Sequence, residues 1–250
     1  RYKEKIFSSY FLPKRDLKKK LIWFQAASIG EVQSIFPLIE RLNEKKKDLE
    51  FLITTVTLSA GNLVQKKIYE HSNIQHRYFP LDVNFLIKKF LTFWKPDLII
   101  FVDSEIWPNL IFEIKKRKIC SVLLNARITK KTFNRWKIIP KLAKNIFSTF
   151  DLCLSSSKES KDYLEKLNGR NIKYIGNIKL ASSVNLESID NINETMLKQK
   201  IFWCAASTHK GEEIFCLKTH LILKKIYKDI LTIIIPRHIH RSREIISEFE

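Results

Sequence analysis

Short apolar runs alternate with amphipathic stretches along almost the whole chain. Seven runs read as strands, over residues 21–27, 49–55, 74–79, 97–102, 120–125, 152–155 and 172–175. Helical periods fill the gaps, at 32–46, 59–70, 83–93, 106–117, 130–148 and 158–167. Continuous apolar strands separated by helices predict βαβ units and a parallel sheet covered on both faces. A polar stretch at 181–200, without a strong period, reads as a linker. The pattern then restarts with a strand at 201–206, a helix at 211–226, a strand at 230–235 and a helix beginning near His240. Two strands and two helices are too few to close a doubly wound domain, which needs ~100 residues or more. Either they pack onto the first sheet or they open a second domain, and the second reading is favoured. The expected α/β architecture is a complete Rossmann-like domain over 1–180, a linker over 181–200, and the start of a second Rossmann-like domain over 201–250. A ligand cleft would face the carboxyl ends of the strands.

Composition narrows the picture without deciding it. Of the 250 residues, 45% are hydrophobic and 28% charged, which supports a packed core and argues against disorder. Four scattered cysteines, without CxxC spacing and mostly in apolar runs, suggest buried thiols in a reducing compartment. No apolar run approaches the ~20 residues that cross a bilayer, so a soluble or peripheral chain is expected. The net charge is +19, with lysine clusters at 18–20, 45–47 and 115–118. A nucleic-acid surface, an anionic membrane surface and a solvated lysine-rich face all fit that charge. Nucleic acid fits least, because no binding motif accompanies it, while a membrane with acidic lipids fits at least as well.

The strand ends carry the chemistry. Four of the five glycines, Gly30, Gly61, Gly176 and Gly211, fall just after expected strands, where a tight turn or a close ligand approach calls for them. Polar residues gather at the same ends: Ser28 and Glu31; Thr54 to Ser59; Asp103 to Glu105; Asn125 and Arg127; Asn177 and Lys179; Ser207 to Glu213; Pro236 to His238. The hydroxyls at 54–59 suit helix capping or a polar ligand. A lone Gly-Glu such as Gly30-Glu31 also reads as a helix-start carboxylate complementing the dipole. His238 and His240 form an HxH, but without a cysteine or carboxylate cluster they do not make a metal site. The whole composition suits a site handling a sugar and a phosphate.

Five ordered blocks are specific. They are Ser28-Ile29-Gly30-Glu31, Glu105 to Asn109 (Glu-x-Trp-Pro-Asn), Asn125-Ala126-Arg127, Ser207 to Glu213 (Ser-Thr-His-x-Gly-Glu-Glu) and Pro236-Arg237-His238. Together they resemble the 3-deoxy-D-manno-octulosonic acid (Kdo) transferases, inverting GT-B glycosyltransferases, over nearly the whole chain. Another GT-B nucleotide-sugar transferase, a sugar-nucleotide epimerase, and a non-catalytic basic membrane-associated remnant are the alternatives that stay open. The resemblance implies CMP-Kdo as donor, a lipid A precursor as acceptor, no metal or other cofactor, and work at the cytoplasmic face of the bacterial inner membrane, where this chain would be peripheral. It implies that Glu31 is the proton acceptor, that Asp103 and Lys179 stabilise the transition state, and that Pro236 and Arg237 bind CMP. Ser207, Thr208 and His209 would help hold the nucleotide, His209 serving alternatively as a helix cap. Arg127 would face an anionic group of donor or acceptor, or pair with a carboxylate.

The chain departs from the family pattern in several places. Asp103 stands where glutamate is usual, one methylene shorter, in a site where a displacement on the order of 1 Å matters. Glu105 is expected to cap a helix starting at Ile106. Gln25 replaces the usual histidine and should alter local hydrogen bonding more than chemistry. Family chains carry an N-terminal anchor and continue well past the equivalent of Glu250. The resemblance therefore implies poor donor binding and no measurable transfer by the 250 residues alone.

Overall fold

Burial in the strands follows the apolar runs. The computed structural model describes residues 16–68, 71–180 and 194–249, so most of the expected linker (181–193) lies outside the described residues. The first unit contains strands β1 (Lys20–Gln25), β2 (Leu49–Thr55), β3 (Ile74–Tyr78), β4 (Leu98–Val102), β5 (Cys120–Ala126), β6 (Leu152–Ser155) and β7 (Ile172–Tyr174). Between them run helices α1 (Ile29–Lys45), α2 (Leu58–Ile68), α3 (Asn84–Trp94), α4 (Pro108–Arg117), α5 (Lys130–Ile138), α6 (Pro140–Phe147) and α7 (Lys158–Lys166). All seven strands are parallel, in the order β3-β2-β1-β4-β5-β6-β7.

Because successive strand side chains point to opposite faces, β1 feeds two cores. Trp23 packs with Phe90, Trp94, Phe101 and Ile111 on one side. Phe24 packs with Ile35, Phe36, Phe51 and Ile53 on the other. Both faces are dry, which is why these strands read as continuous apolar runs rather than alternating ones.

Two departures of the helices from the expectation have a clear physical cause. The single helix expected over 130–148 breaks at Ile139, whose backbone leaves the helical region (φ −123°, ψ 62°) ahead of Pro140 at the start of α6. Proline disfavours the α conformation in the residue before it and suits the first helical turn. Helix α4 starts at Pro108, not at 106, and Glu105 does not cap it. Its first free amides are taken by Asp82, whose carboxylate accepts from Asn109 N at 3.0 Å and Leu110 N at 2.9 Å. A cap 27 residues distant in sequence leaves no local signal.

The chain divides into two compact units, 1–183 and 184–250. The second contains α8 (Glu194–Lys198), β8 (Phe202–Thr208), α9 (Glu212–Lys224), β9 (Leu231–Pro236) and α10 (Ser242–Phe249). Helix α8 falls inside the stretch read as aperiodic linker. Strands β8 and β9 pair in parallel, with an irregularity between Ala206 and Thr208. A two-stranded sheet buries less than a seven-stranded one, and Phe202 and Ile235 stay exposed. Among the described residues no helix is long and apolar enough to cross a membrane. Cys153 and Cys216 are buried, whereas Cys120 and Cys204 are exposed, so only half of the cysteines follow the buried expectation.

Candidate active site at the carboxyl edge of the sheet

From β1 the chain builds outward through β2 and β3, then crosses back to β4 on the other side of β1. The loops leaving β1 and β4 therefore diverge, and such a switch point is where open α/β sheets bind ligands. The loop after β1 delivers Glu31, and the loop after β4 delivers Asp103 and Glu105.

Glu31 sits in the first turn of α1, and Ser28 is the N-cap, its hydroxyl oxygen accepting from Glu31 N at 3.4 Å. The carboxylate reaches back, accepting from Ala27 N at 2.7 Å and from the Ser28 hydroxyl at 2.8 Å. This is a variant of the capping box in which the amide of Ala27, one residue before the N-cap, takes the place of the N-cap amide. The helix-start role weighed from sequence is thus realised alongside any chemical one. The side chain is almost fully buried. Burial raises its pKa above the ordinary 4.5; the Ser28 and Ala27 hydrogen bonds oppose that, while the charges of Asp103 and Glu105 add to it.

Asp103 takes a left-handed backbone (φ 58°), as does Asn125 (φ 55°) at the end of neighbouring β5. Asp and Asn tolerate this region better than other non-glycine residues. The Asn125 turn coincides with a register shift between Leu124 and Ala126. It turns the Asn125 amide towards Asp103, whose Oδ1 accepts from Asn125 Nδ2 at 2.5 Å. The other carboxylate oxygen, Oδ2, pairs with Lys179 Nζ at 2.5 Å. Lys179 belongs to a single 3₁₀ turn, Ile178–Leu180, which is anchored where Ile178 N donates to Asn125 Oδ1 at 3.1 Å. The Lys179 stem passes over α1, because a Cβ added at Gly30 would lie 3.9 Å from Lys179 Cε. Glu31, Asp103 and Lys179, spread over 149 positions from 31 to 179, thus come together at one strand edge.

Glu105 and Gln25 occupy places that sequence reading undervalued. The Glu105 carboxylate accepts from Gln25 Nε2 at 3.2 Å and from the Trp107 indole at 2.8 Å. Gln25 Oε1 in turn accepts from the Thr54 hydroxyl, which accepts from the Trp23 indole at 2.7 Å. A buried polar chain therefore runs from the core to the site, and it holds Glu105 where its charge acts on Glu31. Asn125 stood in a recognised block, but its bridging role depends on a strand pairing that sequence does not display.

Other expected site residues divide. Thr54 and Thr55 are fully buried and hydrogen-bonded inside the sheet, Thr55 to His76 at 2.9 Å, so they do not present hydroxyls to a ligand. Thr57 caps α2, accepting from Ala60 N at 3.3 Å. Gly61 lies within α2, not at a ligand edge, and faces Tyr78, whose hydroxyl would be 2.6 Å from an added Cβ. Arg127 is exposed and makes no ion pair among the described residues. In the second unit, Ser207 adopts φ 65°, and Thr208 lies opposite Pro236 in the β8–β9 ladder. Arg237 N donates to Thr208 O at 3.0 Å, which brings the expected nucleotide residues together. His209 is exposed and does not cap α9 with its ring; instead Glu212 accepts from His209 N at 2.7 Å. The rings of His238 and His240 stack at 5.6 Å, and no group of three or more metal-ligating side chains occurs among the described residues.

The family profile described as 3-deoxy-D-manno-octulosonic-acid transferase (kdotransferase) matches residues 2–182. The chain is 33% identical to the 3-deoxy-D-manno-octulosonic acid transferase of Haemophilus influenzae, covering 88% of this chain and 52% of the relative. It is 34% identical to that of Rickettsia bellii, covering 90% and 54%. The chain thus spans about half the length of these relatives. Among solved structures it resembles UDP-GlcNAc 2-epimerase from Neisseria meningitidis bound to UDP-GlcNAc (TM-score 0.62, 17% identity, 92% of this chain and 68% of that one). It also resembles S. aureus MnaA with UDP (TM-score 0.62, 16% identity, 92% and 65%). At such identities these likenesses establish the fold, which is of the GT-B type. With a matching profile over most of its length and relatives at about one-third identity, the chain belongs to the 3-deoxy-D-manno-octulosonic-acid transferase family.

Proposed function

We propose that this chain carries the acceptor-side catalytic groups of an inverting transferase that moves Kdo from CMP-Kdo to a hydroxyl of a lipid A precursor, lipid IVA, at the cytoplasmic face of the inner membrane. The observation that carries the reading is the convergence of Glu31, Asp103 and Lys179 at the β1/β4 switch point. Glu31 takes the acceptor hydroxyl proton as the new C–O bond forms, while the bond from the sugar to the CMP phosphate breaks and its electron pair leaves with the phosphate. Burial that raises the Glu31 pKa makes its carboxylate a stronger base at the pH where it is ionised. Lys179 offsets the charge growing on the departing phosphate. Asp103 orients Lys179, a role supported by their 2.5 Å ion pair, and the shorter side chain still reaches its partner.

In the second unit, Pro236 and Arg237 bind CMP, the arginine through a planar fork suited to phosphate. Ser207, Thr208 and His209 line the same strand ends. The domain division at the 181–200 linker belongs to the same reading, with acceptor chemistry in residues 1–180 and donor binding beginning at 201. A panel of activated sugars offered to the full-length protein tests it. Transfer is expected from CMP-Kdo alone, and Glu31→Gln is expected to lower kcat by roughly 10²–10⁴-fold while leaving CMP affinity unchanged. Equal turnover with UDP-sugars, or full activity in Glu31→Gln, would sink the reading.

A further inference from the structure

Next to the carboxylate cluster lies a cavity that none of these roles uses. Its volume is about 350 Å³, and its walls include Ile106, Ile128, Trp136 and Ile139, with Ser104 and Arg135 among the polar members. Ser104 directly follows Asp103, and its hydroxyl donates to Arg127 O at 2.9 Å, so the cavity opens one residue from the site. The volume falls at the lower end of small-ligand pockets, ~300–1,000 Å³.

The helices that wall it are unusual in two ways. Helix α5 has no buried residue, and the α5–α6 corner leaves Ile138 78% and Ile139 44% exposed. From Arg127 to Phe150 the sequence has seven Lys or Arg and no Asp or Glu. An apolar cavity whose one charged lining residue is a cation, Arg135, on a segment rich in Lys and Arg, suits one class of ligand. The alkyl part leaves water for the cavity, and an anionic head group stays outside against the cations. A neutral apolar ligand would gain nothing from Arg135, and a hydrophilic anion would gain nothing from Trp136 and the three isoleucines.

We propose that this cavity binds one alkyl chain of an anionic lipid, with Arg135 at its head group. The chain can come from the lipid acceptor or from a phospholipid of the bilayer, and only the acceptor source rests on the function proposed above. The test uses the soluble probes dodecyl phosphate, butyl phosphate and dodecyl maltoside below their critical micelle concentrations, titrated calorimetrically into the 250-residue chain. Affinity is expected to rise roughly fourfold per methylene until the cavity is filled. Ile139→Asp, which charges the wall, and Ile139→Trp, which fills it, should each weaken dodecyl phosphate at least roughly tenfold. Arg135→Glu should weaken dodecyl phosphate but not dodecyl maltoside. Both positions are exposed, so the variants leave the core intact, and unchanged circular dichroism verifies this. Glu31→Gln should bind the probes normally, which separates this proposal from the catalytic one.

Two further arms identify the source. Weaker flotation of Ile139→Asp with phosphatidylglycerol vesicles, relative to wild type, supports a bilayer lipid. A raised KM of the full-length variant for an acylated phosphorylated disaccharide, but not for its deacylated form, supports the acceptor. Equal affinity for butyl and dodecyl phosphate overturns the proposal, as does wild-type binding by both Ile139 variants.

Discussion

The two strand-end rims in this protein are built from similar pieces and finished differently. Each has an irregular strand end with a non-glycine residue at positive φ, Asn125 in the first unit and Ser207 in the second. In the first, the polar side chains are already locked to one another: Asp103 to Asn125 and Lys179, Glu31 to Ser28 and Ala27, Glu105 to Gln25 and Trp107. In the second, His209 and Arg237 make no side-chain hydrogen bond or ion pair among the described residues. The most buried ion pair there among the described residues is Glu213 with Arg241 at 2.8 Å. The difference matches what the proposed function asks of each rim. Proton and charge transfer need groups fixed before the substrate arrives. Holding an anion needs only a reachable cation and backbone, and the anion itself can complete the geometry.

If that contrast is right, variants of the first rim should damage turnover and those of the second should damage binding. After Glu31→Gln, the largest effect is expected for Asp103→Asn, which removes the Asp103 charge from beside Lys179. It should lower kcat by roughly 10²-fold or more, with CMP affinity close to wild type in single-turnover and titration measurements. A loss confined to KM would break the contrast.

The next prediction separates the units by pH. His76 is buried and its pKa is pushed down to about 4, first by burial and then by Arg77. Its contribution is complete above the ordinary 6.5 and is lost as pH falls towards about 4, a window worth roughly 3 kcal/mol. Glu213 is held at about 2, chiefly by hydrogen bonding to Arg241, so its contribution is complete above 4.5 and lost only as pH falls towards about 2. Urea unfolding with a probe in each unit at pH 7, 5 and 3 should therefore show the first unit weakening first, and His76→Gln should remove that early loss.

A smaller effect is expected for Arg237→Ala, which should weaken CMP binding by roughly tenfold, about 1.4 kcal/mol, and leave the chemical step intact. The smallest concerns Glu105→Gln. Because the Glu105 charge helps to raise the Glu31 pKa, its removal should move the acid limb of kcat/KM to lower pH. An unmoved limb would mean that Glu105 only holds Trp107 and Gln25.

How much of this was legible beforehand differs by element. The seven strands were readable because both faces of the sheet are dry, and a run such as Leu21-Ile22-Trp23-Phe24 has few other uses. The break at Ile139 was also readable in principle, since Pro140 announces it, but strong helical periodicity on both sides masked it. The Asp82 cap was not readable, because capping by a distant carboxylate looks in sequence like an ordinary loop residue. Among site residues, Glu31, Asp103 and Lys179 were named from motif order, while Thr54 and Thr55 looked equally available and proved to be interior. These two side chains point to opposite faces of the sheet, and because both faces are covered neither hydroxyl reaches the rim.

By itself, then, the sequence determined the parallel α/β layering, the order of the strand-end blocks and the identity of the acidic and basic groups at the rim. Those depend on local periodicity and residue chemistry, which each segment carries alone. Only the tertiary structure decided that Asn125 would clamp Asp103 and the Lys179 turn, that Gln25 would hold Glu105, and that an apolar cavity would open beside Ser104. These are contacts between segments 22 to 80 residues apart. They follow from strand order and register, which no single segment encodes.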